Sequence, residues 1–169
     1  FAAAATMMTS SRGGERVPTY TSLVPAQLTR LLDAAETDTT VRAAVRSFET
    51  ILVGGQALAV ATLERAQALG ARVVRTYGST ETSGGCVYDG RALRGVSVRV
   101  SDGEVQIAGP TLADGYLGED DRTAAAFTID PDGTRWYRTG DAGLIEGDVL
   151  RIRGRIDNVI ISGGINVSL

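Results

Sequence analysis

Two short apolar runs separated by one amphipathic helix do most to restrict the folds open to this chain. Thr50-Ile51-Leu52-Val53 reads as a buried strand that breaks at Gly54-Gly55-Gln56. Ala59 to Leu69 then carries Leu63, Ala66 and Leu69 on one face before Gly70 stops it. Val73 and Val74 open the next strand, which runs into a turn at Gly78. Strand, helix and strand in that order argue for a parallel sheet covered by helices. The same alternation starts upstream. Thr19 to Val24 is strand-like, Pro25 suits a first helical turn, and Leu28, Leu31 and Leu32 follow at helical spacing. Residues 1 to 8 have helical composition, and Ser10 to Pro18 reads as a polar loop. Ligands of open α/β sheets bind at the carboxyl ends of strands, so the loops at Gly54 and Gly78 are expected side by side.

From Gly95 the pattern changes. Val96 to Val100 alternates, Ser101-Asp102-Gly103 turns, and Glu104 to Ile107 pairs back as a hairpin. Gly109 to Gly118 is loop and Arg122 to Phe127 a helical turn. Short strands at Gly143 to Ile145 and Val149 to Arg153 flank the turn Glu146-Gly147-Asp148. The fold class is therefore α/β: a helix-covered, mostly parallel sheet followed by a small antiparallel β unit.

Composition narrows the chemistry. All 17 basic residues are arginine, with no lysine and no histidine. Schiff-base catalysis, a phosphate-loop lysine, histidine general-base catalysis and histidine metal sites are thus excluded within the chain. Cys86 is the only cysteine, which rules out an intrachain disulfide or a zinc cluster and suits a reducing, cytoplasmic setting. The arginines are scattered and the net charge is -3, so nothing points to nucleic acid. The apolar start is too short to span a membrane.

Arg75-Thr76-Tyr77-Gly78-Ser79-Thr80-Glu81-Thr82 puts a flat ring, three hydroxyls and one carboxylate at a strand end. Glu81 is the only carboxylate between Glu64 and Asp89, as a hard oxygen ligand for a divalent cation would be. By residue type alone the stretch serves equally as a polar turn, and Gly54-Gly55 reads first as a tight packing turn, since paired glycines after strands are common.

With Trp136-Tyr137-Arg138-Thr139-Gly140-Asp141 and Gly154-Arg155-Ile156-Asp157-Asn158-Val159-Ile160, the three motifs together resemble the adenylate-forming superfamily of acyl-CoA synthetases, luciferases and adenylation domains. The resemblance covers nearly the whole chain. It implies an AMP-forming ligase that uses ATP and Mg²⁺ to adenylate a small carboxylate and passes the acyl group to coenzyme A. It implies that Gly54, Gly55 and Gln56 line the adenine pocket, with Tyr77 against the ring. Gly78, Ser79 and Thr80 would meet phosphate and Glu81 would hold Mg²⁺. Asp141 would accept from both ribose hydroxyls, and Arg155 would reach ribose or phosphate. Asp157 matches a hinge, and Ser162, Gly163 and Gly164 match a coenzyme A tunnel, where Ile165 replaces a frequently charged residue. By residue type alone, Asp141 is equally a turn aspartate, and Arg155 with Asp157 a surface ion pair.

Residues 21–28 and 84–90 resemble the o-succinylbenzoate-CoA ligases of menaquinone biosynthesis, which places Tyr20, Ser83, Gly84 and Gly85 at the acyl pocket. The division implied is an α/β subdomain over 1–94, a β-rich subdomain over 95–154, and the hinge with the start of a C-terminal domain over 155–169. The superfamily's phosphate loop and catalytic lysine match nothing in these residues, so the expectation is a segment of a longer enzyme, inactive alone. A homodimer is compatible with this reading. The alternatives are another acyl-CoA synthetase or adenylation domain, or a nucleotide-binding module without catalysis.

Overall fold

The structure, a computed structural model, describes residues 1–8, 11–12, 15–156, 159–162 and 165–168, with side-chain surroundings for 1–6 and 17–156. It divides into two compact units, Phe1–Thr76 and Tyr77–Leu169.

In the first unit, helix α1 (Ala2–Met8) precedes two-residue strands β1 (Ser11–Arg12) and β2 (Glu15–Arg16), which pair antiparallel where the sequence suggests only loop. Strand β3 (Tyr20–Leu23) leads into helix α2 (Pro25–Thr37). Proline at the first position costs that helix nothing, since the missing N–H would lack a helical partner there. The Gln27 side chain accepts from the Val24 N–H at 3.0 Å. Helix α3 (Thr39–Ser47) is set off from α2 by Asp38, whose carboxylate accepts from the Thr40 and Val41 N–H groups at 2.7 and 3.2 Å. This N-cap starts a second helix and is a local signal that leucine spacing alone passes over. Strand β4 (Thr50–Val53), helix α4 (Val60–Ala68) and strand β5 (Val73–Ser79) complete the alternation.

Strands β3, β4 and β5 pair in parallel, with Tyr20 opposite Thr50, Leu23 opposite Val53, and Val53 opposite Arg75. Leu28, Leu32, Val45 and Ile51 are essentially fully buried in the core they share with Val53 and Ala66. Each such side chain contributes about 1.5–3 kcal/mol by leaving water. Helices on the sheet bury apolar faces that neither element could hide alone, which is why the expected parallel arrangement is found.

The second unit begins inside β5. A single 3₁₀ turn (Thr80–Thr82) follows, then an antiparallel pair, β6 (Gly84–Tyr88) and β7 (Arg91–Ala92). The expected hairpin is present as β8 (Ser97–Ser101) and β9 (Glu104–Ala108). Helix α5 (Asp120–Ala126) and strand β10 (Phe127–Ile129) lead to β11 (Arg135–Glu146) and β12 (Val149–Arg155). Strand β11 is the spine: it pairs with β10, β9 and β12, all antiparallel. The sequence suggests a strand only from Gly143, yet β11 begins eight residues earlier. The glycine of Thr139-Gly140-Asp141 is a bulge inside a strand rather than the end of one. A second core forms from Cys86, Val87, Val105, Ile107 and Leu150. Strands β13 (Val159–Ser162) and β14 (Ile165–Ser168) pair antiparallel. Asp157, Gly163 and Gly164, with the side chain of Ser162, lie outside the described residues. No described helix is long and apolar enough to cross a membrane.

Candidate functional site

A cavity of about 460 Å³ opens in the second unit, lined by the end of β5, the 3₁₀ turn, β9, α5, β11 and Arg155. Thr82 builds the turn. Its hydroxyl accepts from the Ser79 N–H at 2.8 Å and donates to the Gly84 carbonyl at 2.8 Å, and the residue is 1% exposed. The Glu81 carbonyl takes the Ala113 N–H at 2.8 Å, and the Ser83 hydroxyl donates to the Thr111 carbonyl at 2.9 Å. With its backbone tied on both sides, the turn holds the Glu81 carboxylate on the cavity wall.

Gly78 is required by close approach. A Cβ there would lie 2.0 Å from the Gly84 carbonyl oxygen and 2.9 Å from the Gly85 Cα. The backbone that glycine admits is the chain's own β6. In the first unit, a Cβ on Gly54 would likewise lie 2.2 Å from Thr76 Oγ1, and Gly55 has φ of +81°.

Tyr116 donates to Glu81 Oε1 at 2.7 Å, and the Arg122 guanidinium covers the Tyr116 ring at 3.9 Å. Burial alone would raise the Glu81 carboxyl pKa. The hydrogen bond from Tyr116, its own backbone N–H and the nearby Ser79 and Tyr137 hydroxyls outweigh burial and hold it below its ordinary value. Burial and the Glu81 contact push the Tyr116 phenol up to about 12. Ser79 Oγ is buried and makes no hydrogen bond of standard geometry, although it lies near enough to Glu81 to lower its pKa.

Across the cavity Tyr77 donates to Asp141 Oδ2 at 2.6 Å. Burial, then the Asp141 carboxylate, raises the Tyr77 phenol far above its ordinary pKa, so it remains a donor. Arg155 donates from Nη1 to the Thr139 carbonyl at 2.8 Å and lies 3.5 Å from Asp141 Oδ1. Among the described residues, Asp141 is thus an ion partner of Arg155. Three carboxylates, Glu81, Glu104 and Asp141, and three guanidiniums, Arg122, Arg138 and Arg155, line the space.

Tyr77, Gly78, Ser79, Glu81, Asp141 and Arg155 are therefore brought together, as their motifs suggest. Thr80, exposed on the turn, and Ser83, Gly84 and Gly85 are not among the lining residues. Tyr20, exposed at the amino end of β3, is likewise not among the lining residues. Glu104, Tyr116, Arg122, Tyr137, Arg138 and Thr139 enter the cavity without having been singled out by sequence. Tyr137, Arg138 and Thr139 sit inside a motif already marked. Glu104 and Tyr116 carry no local signal, because pairing and loop packing deliver them.

Among the described residues no group of three or more metal-ligating side chains occurs. One anionic oxygen ligand, Glu81, does not make a cage. It fits Mg²⁺, which is held by one or two carboxylates together with substrate phosphates.

Antiparallel strands carrying an aspartate, a turn at a strand end carrying a glutamate, and arginines between them thus share one cavity of an α/β fold. The chain belongs to the family of AMP-binding enzymes, whose family model matches residues 15–117. It is 43% identical over 155 residues to a probable 2-succinylbenzoate–CoA ligase of Mycobacterium tuberculosis, covering 88% of this chain and 37% of that one. It is 33% identical over 154 residues to the 2-succinylbenzoate–CoA ligase of Escherichia coli, covering 86% and 31%. Among solved structures, the o-succinylbenzoate coenzyme A synthetase of Bacillus subtilis, in complex with ATP and magnesium ion, matches with a TM-score of 0.73. That match is 27% identical and covers 89% of this chain and 34% of that one. The chain spans about a third of the length of the curated relatives it matches.

Proposed function

We propose that this chain carries the nucleotide and acyl site of an ATP-dependent acyl-CoA ligase acting on o-succinylbenzoate, and so serves menaquinone biosynthesis. The observation that carries the reading is the convergence of Glu81 and Asp141 on one cavity with three arginines. The curated relatives, named as 2-succinylbenzoate–CoA ligases, support the choice of acid.

Adenylation joins a carboxylate to the α-phosphate of ATP and releases pyrophosphate. The ribose hydroxyls would donate to Asp141, whose carboxylate Tyr77 and Arg155 hold in place. Arg155 is the cation beside ribose and phosphate, its planar donors suited to either. Ser79 Oγ, buried on the wall, and Thr80, exposed on the turn, would donate to phosphate oxygens. Glu81, kept anionic by its hydrogen bonds, would hold Mg²⁺, which when bound neutralises phosphate charge. Gly54, Gly55 and Gln56 would face adenine, and Ser83 to Gly85 the acid. Coenzyme A would receive the acyl group through the segment Ser162 to Gly164, with Asp157 as the hinge between the two half-reactions.

The test is Glu81→Gln in the full-length protein. Pyrophosphate release should fall by about 100-fold at fixed Mg²⁺, the scale of losing one charge-stabilising group at a reacting centre, with the thermal midpoint little changed. Near-normal rates across a Mg²⁺ titration would remove Glu81 from the metal.

A further inference from the structure

We infer that Glu104 is a positioning residue for Asp141, clamping the irregular segment of β11 that presents the Asp141 carboxylate to the cavity. The inference rests on the reading that Asp141 accepts from the ribose of ATP. The ladder between β11 and β9 pairs Arg138 with Gln106 and resumes only at Ala142 with Glu104. Three residues, Thr139 to Asp141, therefore stand opposite the single residue Val105. A bulge of this size takes backbone groups out of the ladder, and each needs another partner in a partly buried setting.

The partners are specific. The Gly140 N–H donates to Glu104 Oε1 at 3.0 Å. Glu104 Oε2 accepts from Arg138 Nε at 2.9 Å, on the other side of the bulge. Thr139 Oγ1 donates to the Val105 carbonyl at 2.8 Å and accepts from the Asp141 N–H at 3.0 Å. Gly140 has φ of +70°, a left-handed conformation that favours glycine. Arg155 holds the Thr139 carbonyl from the other flank.

Glu104 is only 8% exposed. A buried carboxylate is costly unless both oxygens are satisfied, and here each is satisfied by a donor of β11. The side chain lines the cavity, yet its hydrogen bonds go to the strand that carries Asp141. Its charge sets the geometry of the bulge, and the bulge sets where Asp141 Oδ1 and Oδ2 stand.

The experiment compares ATP with 2′-deoxy-ATP in pyrophosphate exchange by the full-length protein. The wild type should prefer ATP by about tenfold or more in KM, the size of a hydrogen bond to a charged acceptor, and Asp141→Asn should lose that preference. Glu104→Gln keeps the shape but sets an amide N–H against one of two donors. It should raise the KM for ATP and leave that for 2′-deoxy-ATP nearly unchanged, with kcat close to wild type. The double variant should discriminate no worse than Asp141→Asn alone. A purely structural role would scale both nucleotides together. Glu104→Gln retaining the wild-type ratio while Asp141→Asn loses it would overturn the inference and leave the ribose reading intact. No preference in the wild type would overturn the ribose reading, and the inference with it. Should Glu104→Gln fail to fold, Glu104→Asp carries the same comparison and the same two outcomes, because it keeps the charge but shortens the reach to Gly140.

Discussion

Glu81 shows burial and hydrogen bonding acting against each other on one carboxyl group. Burial favours the neutral acid, and the Tyr116 hydroxyl at 2.7 Å is foremost among the groups that favour the anion. Tyr116→Phe should therefore raise the Glu81 pKa, read as the midpoint of its side-chain carboxyl ¹³C shift. An unchanged midpoint would assign the depression to the backbone and to the Ser79 and Tyr137 hydroxyls instead. The linkage has a definite sign. The folded pKa lies below the ordinary 4.5, so the stability it contributes is present above pH 4.5 and is lost as pH falls through the folded value. In Tyr116→Phe that acid-side loss should be smaller when thermal midpoints are followed from pH 6 to 3. At this scale the sequence marks Glu81 as a lone carboxylate in a neutral loop, but Tyr116, 35 positions away, has no periodicity that ties it to Glu81.

In two of the motifs the geometry of the element requires a glycine, Gly78 in β5 and Gly140 in β11. Gly78 lies against β6 just before the end of β5, so Gly78→Ala should force the two backbones apart. It should cost about 1–3 kcal/mol, the range for overpacking, as a drop in the denaturant midpoint of the full-length protein. An unchanged midpoint would mean that β6 yields freely. Strand β4, helix α4 and the start of β5 were legible because their apolar residues follow strand and helix spacing and glycines mark their ends. Hairpin β8–β9 was legible for the same reason. Strand β11 was not. Its first half reads Arg-Trp-Tyr-Arg-Thr-Gly-Asp, where charge and glycine hide a strand whose hydrogen bonds are supplied by β9 and β10. Helix α3 was hidden in another way: Asp38 caps it, but only after α2 has already ended.

For the whole molecule, the proposed cycle needs one site for two reactions, and the hinge proposed at Asp157 would carry the change between them. Proline fixes φ and removes a backbone donor. Asp157→Pro in the full-length protein should keep pyrophosphate exchange with o-succinylbenzoate and ATP while losing most thioester formation. Equal loss in both assays would make Asp157 structural, and equal retention would put the pivot elsewhere. The sequence by itself determined the α/β class, the parallel βαβ run, the β-rich sequel and the family, because local periodicity, turn residues and contiguous motifs are properties of neighbours along the chain. Only the tertiary structure decided that Glu81 is held by Tyr116, that Asp141 is held by Tyr77 and Arg155, and that Glu104 grips the bulge between them. Those partners lie 14 to 64 positions apart, and such pairs meet only when strand register and loop packing bring distant side chains within hydrogen-bond reach.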